Sequence, residues 1–140
     1  MDRRSISEEY AQIGREWVQN DDIFVDIRNS QATIVYLVSE HKKSANGKVI
    51  FAQCEKVADK YKWGIPADFT ITVFEPNVEG FSEEQKKELI FHELLHVGIV
   101  FNADGTESYN IRPHDLEDFK EVINRWGTDW SDVYEREDEG

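Results

Sequence analysis

The chain has 140 residues, 39% of them hydrophobic and 12% aromatic, which suits one folded domain with a real core and excludes wholesale disorder. Its formal net charge of −13 argues against a protein that grips phosphate backbones regardless of sequence. A single cysteine, Cys54, rules out an intramolecular disulfide and a cysteine-based zinc cage. No apolar run follows the N-terminus or approaches the ~18–20 residues of a membrane span, so the expectation is a cytoplasmic protein with no membrane partner.

Taken in order, Ser5-Ile6-Ser7-Glu8 reads as a capping box opening a helix over 6–20, with Tyr10, Ile13, Trp17 and Val18 at helical spacing. Residues 23–26 suit a short extended piece. The β-branched and aromatic run 33–38 predicts a strand. Asn46-Gly47 signals a hairpin, followed by a second strand over 48–55, although a helix over 51–62 also fits the apolar period. Gly64 and Pro66 mark a loop, and the alternation over 68–74 predicts a third strand. Ser82-Glu83-Glu84-Gln85 is a second capping box, from which a helix should run to about Phe101 and be apolar nearly all round. A turn at 102–105 and an extended segment at 107–111 follow. Pro113 then opens a helix with the stripe Leu116, Phe119, Val122, Ile123 and Trp126, closed by Gly127. Trp130 is expected to return to the core. The domain is expected to span 1–133, with an acidic disordered tail at 134–140.

One stretch carries chemistry. His92-Glu93-Leu94-Leu95-His96 places two imidazoles four residues apart, on one face of a helix, within reach of one metal ion. A hydrolytic zinc site takes three protein ligands and leaves a fourth position open. His114 is the expected third ligand, Asp118 its runner-up and Asp115 a further possibility, which could equally support a ligand imidazole. His41 lies in a charged turn and is expected to be exposed. Glu93 sits between the ligands, so its natural role is general base toward an attacking water. Those parts suit hydrolysis of a peptide or similar amide. Tyr109 and Arg112 could steady an oxyanion but read more simply as surface or packing residues, and Cys54 as a small core residue.

His92-Glu93-Leu94-Leu95-His96, followed by His114-Asp115-Leu116-Glu117-Asp118-Phe119 and then Trp126-Gly127 with Trp130, resembles the putative phage metallopeptidase family and, more widely, SprT-like and minimal zincins. The likeness runs from the strand at Thr33 to Trp130. It implies a compact α+β zincin-like domain, in which a small, mainly antiparallel sheet of about three strands lies on a central HExxH helix flanked by N- and C-terminal helices. It also implies Zn2+ on His92, His96 and His114, Glu93 as the catalytic residue, and a peptide or protein substrate in the cytoplasm of a phage host. In many zincins an edge strand holds the substrate, and 68–74 is the candidate for that role. The competing expectation is a non-catalytic zinc-containing module that binds or regulates another protein.

Overall fold

The computed structural model describes residues 4–113. The expected helix beyond Pro113, Trp130, the acidic tail and the three candidate ligands His114, Asp115 and Asp118 lie outside them.

The chain opens with strand β1, Arg4–Ile6, and helix α1, Glu8–Asn20. Ser7, not Ser5, caps α1: its hydroxyl accepts the Tyr10 N–H at 3.1 Å. Ser5 is taken up by pairing with Val38, which moves the helix start two residues on. Asp21 then accepts the Ile23 N–H at 3.1 Å and starts a 3-10 turn that runs into helix α2, Val25–Asn29. The extended piece expected at 23–26 is therefore helical, because Phe24 and Ile27 bury three residues apart on one face.

Strand β2 is Ile34–Ser39. A two-residue hairpin follows, β3 Ser44–Ala45 and β4 Lys48–Val49, with Asn46 at φ 54° and Gly47 at φ 79°, the left-handed pair that a tight hairpin turn requires. The strand expected over 48–55 is broken at Ile50 and Phe51, and resumes as β5, Ala52–Lys56. Phe51 turns inward against Phe81, with ring centroids 5.0 Å apart, while the Asn77 amide donates to the carbonyls of Lys43 and Ile50 and holds the break. The alternative helix over 51–62 does not form. Strand β6, Phe69–Phe74, matches its expectation closely.

The main sheet runs β1-β2-β6-β5, four strands rather than three because Arg4–Ile6 adds one edge. Only β2 and β6 pair in parallel. Five of the six residues of β6 are buried, as befits a strand covered on both faces. This corrects the expectation that 68–74 is an edge strand; among the described residues the sheet's edges are β1 and β5.

Helix α3, Glu83–Leu94, begins in the expected capping box, Ser82 accepting the Gln85 N–H at 3.1 Å and Gln85 the Ser82 N–H at 2.9 Å. It ends at Leu94 rather than near Phe101. Val97-Gly98-Ile99-Val100-Phe101 forms strand β7 instead, paired antiparallel with β8, Glu107–Ile111. Three β-branched residues around a glycine favour the strand, and Gly98 is required there, since a Cβ would collide with Asn110.

The seven residues Glu88 to Leu94 of α3 are all buried. Leu89, Ile90, Phe91 and Leu94 share one core cluster with Tyr10, Ile13, Phe24, Tyr36, Ile71 and Val73. Phe91 meets Trp17 and Phe24 edge-on at 4.8 and 5.1 Å. Gly14 lets α1 lie directly on the Tyr36 ring, where a Cβ would collide.

Candidate metal centre

The last turn of α3 and the entry to β7 deliver His92, Glu93 and His96 to one point. Each offers a donor atom, and these atoms lie within 4.8 Å of one another. All three residues are buried, at 6%, 4% and 9% exposure. The imidazole centroids are 5.3 Å apart and nearly perpendicular. His92 Nε2 lies 3.9 Å from Glu93 Oε2. The four-residue spacing survives the early helix end because the chain tightens instead of opening: the Leu95 N–H reaches the His92 and Phe91 carbonyls, and the His96 N–H the Glu93 carbonyl at 3.0 Å.

His96 is fixed from outside the helix. Its Nδ1 lies 2.8 Å from the Arg112 carbonyl oxygen, and the Arg112 N–H donates to the His96 carbonyl at 2.7 Å. A carbonyl only accepts, so Nδ1 carries the proton and Nε2 presents its lone pair. An imidazole held through its other nitrogen is the usual arrangement of a metal ligand. Burial also lowers the pKa of His96, which favours the neutral, ligating form.

Glu93 is in the opposite position. Burial pushes its carboxyl up to about 8, and a hydrogen bond from the Cys54 main-chain N–H partly offsets this. A buried carboxylate with no full cation beside it is costly. A divalent ion held by the two imidazoles would supply that charge beside the carboxylate. The residues present therefore fit a metal.

Of the residues singled out from sequence, His92, Glu93 and His96 come together. His41 is exposed, as expected. Tyr109 is a packing residue: its ring lies against Phe69 with centroids 5.7 Å apart, and its hydroxyl donates to Glu107 at 2.7 Å. Arg112 contributes main-chain atoms to the site. Cys54 contributes its N–H, while burial raises the pKa of its thiol. Sequence reasoning missed both contributions, because a backbone group leaves no mark on residue identity.

The family model described as putative phage metallopeptidase matches residues 3–137, nearly the whole chain. The chain belongs to this family. No curated protein and no solved structure matches it. Membership in a metallopeptidase family implies a metal cofactor and a peptide or protein substrate, and the His92, Glu93 and His96 group is where such a metal could sit. Among the described residues, no helix is long and apolar enough to cross a membrane.

Proposed function

We propose that this family member is a zinc-dependent peptidase of the HExxH zincin type, with His92, His96 and His114 as metal ligands and Glu93 as general base. The observation that carries the reading is the double hydrogen bond between Arg112 and His96. It brings the returning chain to the site two residues before His114, and two residues span at most ~7 Å. That proximity along the chain supports His114 as the third ligand. Asp118, one helical turn beyond His114 in the expected helix, is the alternative ligand.

Zinc bound by these residues supplies a Lewis acid that polarises the scissile carbonyl and acidifies the attacking water. The Glu93 carboxylate takes the proton of that water at Oε and passes it to the leaving amine nitrogen. It must be charged to do so; burial opposes this and the Cys54 N–H favours it. Arg112 keeps the His96 ring turned toward the site.

The substrate backbone has a place to lie. In the β5–β6 ladder, Phe74 N–H bonds the Phe51 carbonyl and Val57 N–H the Asp68 carbonyl. Antiparallel pairing alternates, so Ala52, Cys54 and Lys56 direct their backbone groups away from β6, and no further strand is hydrogen-bonded to that side among the described residues. This row meets Glu93 at Cys54, whose N–H the carboxylate already takes, which leaves the groups of Ala52 and Lys56 and the Cys54 carbonyl to a substrate strand. It replaces 68–74 as the strand for β-augmentation. We further assign residues 1–133 to one metallopeptidase domain, 134–140 to an acidic tail, and the site of action to the cytoplasm of a phage host.

The test compares wild type with Glu93→Gln on unfolded protein substrates, with zinc content measured in both. Cleavage should fall by at least ~10³-fold in the variant while zinc remains bound, as expected when a base acting on an activated water is removed. Equal inertness of the two proteins with zinc retained would instead support the non-catalytic module.

A further inference from the structure

The loop between β5 and β6 exposes more apolar surface than its surroundings. Trp63 is 91% exposed, Tyr61 53% and Ile65 43%. Contiguous apolar side chains in water usually mark an interaction surface. The loop is not loosely held. Val57 N–H bonds Asp68, Gly64 and Ile65 N–H both bond the Tyr61 carbonyl, and Ala67 N–H bonds Ile65. Lys62 ties it down through Asp68 at 2.9 Å and Asp59 at 3.4 Å. The exposed aromatic side chains are therefore carried on a hydrogen-bonded backbone.

The local charge is also unusual for so acidic a chain. Lys56 and Lys60 are exposed and form no ion pair with a described residue, and the Lys60 ammonium lies 5.1 Å from the Tyr61 ring centroid. The position is equally specific. Val57 follows Cys54 by three residues, so the loop starts ~10 Å along the open row from the N–H that meets Glu93. A chain added to β5 would run past Lys56 into this surface.

We infer that residues 56–65 form a secondary site for the substrate chain, binding an aromatic or large aliphatic residue flanked by acidic ones, three or more positions from the bond that is cut. This deepens the peptidase reading and rests on it. Trp63 and Tyr61 offer ring faces to the apolar residue, and Lys56 and Lys60 complement the acids. A nucleic acid is the weaker fit, because two lysines on a chain of net charge −13 neutralise few phosphates.

The experiment uses the full chain loaded with zinc. Two synthetic peptides share one extended central segment; one carries Asp-Phe-Glu at both ends, the other Ser-Ala-Ser. Their affinities are measured by fluorescence anisotropy on Glu93→Gln, which needs no turnover. The acidic aromatic peptide should bind about tenfold more tightly, and adding Trp63→Ala should abolish the preference. In the active protein, Trp63→Ala should raise KM for that peptide by the same factor and leave kcat, zinc content and melting temperature unchanged. Equal affinity for the two peptides, or a preference that survives Trp63→Ala, overturns the inference. So does an oligothymidylate that binds more tightly than the peptide in a Trp63-dependent way, or an equal gain for both peptides when the chain is cut short at residue 133, which would make the loop a seat for the chain's own acidic end. If neither peptide is cut but the Trp63-dependent preference persists, the peptidase reading fails and the binding site stands.

Discussion

Glu93 at the end of α3 and Asp68 at the start of β6 are carboxylates in opposite circumstances. Asp68 is partly buried, which alone would raise its pKa, but hydrogen bonds from Lys62 and Thr33 outweigh the burial and hold it below the ordinary value. Lys62 lies 2.9 Å away, and the Thr33 N–H donates to Asp68 at 2.9 Å. Glu93 is fully enclosed, and among the described residues no lysine or arginine pairs with it. Burial carries its pKa the other way, to about 8. One carboxylate is provided for within the fold and secures a loop. The other is held at a cost that no lysine or arginine among the described residues relieves, which marks it as a candidate functional group.

The comparison can be pressed hardest at the metal. His96→Ala should abolish stoichiometric zinc binding and all zinc-dependent cleavage, read by metal analysis of protein purified without an affinity tag. Retention of a full equivalent would place the ion elsewhere. The next effect is on stability. In chelator-treated protein the raised Glu93 pKa means its favourable, neutral form is complete below pH 4.5 and lost as pH rises through about 8. The chelated wild type should therefore lose stability over that window, whereas chelated Glu93→Gln should not, the gap reaching ~5 kcal/mol in denaturant unfolding. An unchanged gap across the window would show that Glu93 has found a partner.

The Asp68 effect is smaller and has the opposite sign. Asp68→Asn should cost ~1 kcal/mol at neutral pH, discounted because Lys62 is about a third exposed. A depressed pKa stabilises above the ordinary value of 3.8, so the difference from wild type should close as pH falls below it. Lys62→Met, which leaves the two Thr33 bonds in place, should cost less than Asp68→Asn. Thermal melts at pH 7 and pH 3 suffice for both.

Much of this was readable in the sequence, and the misreadings share a cause. The capping box at Ser82, the Asn46-Gly47 turn and the alternation of β6 are local signals and each appears where expected. The run from Val97 to Phe101 is apolar at positions that suit either a helix or a strand, and the partner that decides it, Glu107–Ile111, is visible only in space. Likewise nothing in Phe69–Phe74 announced that it would lie between two other strands. The spacing of His92, Glu93 and His96 identified the candidate site. The main-chain groups of Arg112 and Cys54 that orient it could not be read, since any residue except proline could supply the N–H and any at all the carbonyl.

The early end of α3 has a mechanical consequence. His92 belongs to the helix, but His96 belongs to the turn that leads into β7 and is clasped by Arg112, directly after β8. An ion shared by the two histidines would not sit on one rigid rod. It would rivet the helix to the hairpin, so loading and emptying the site would tighten and slacken the joint between them, and the hairpin would register the ion's presence most directly.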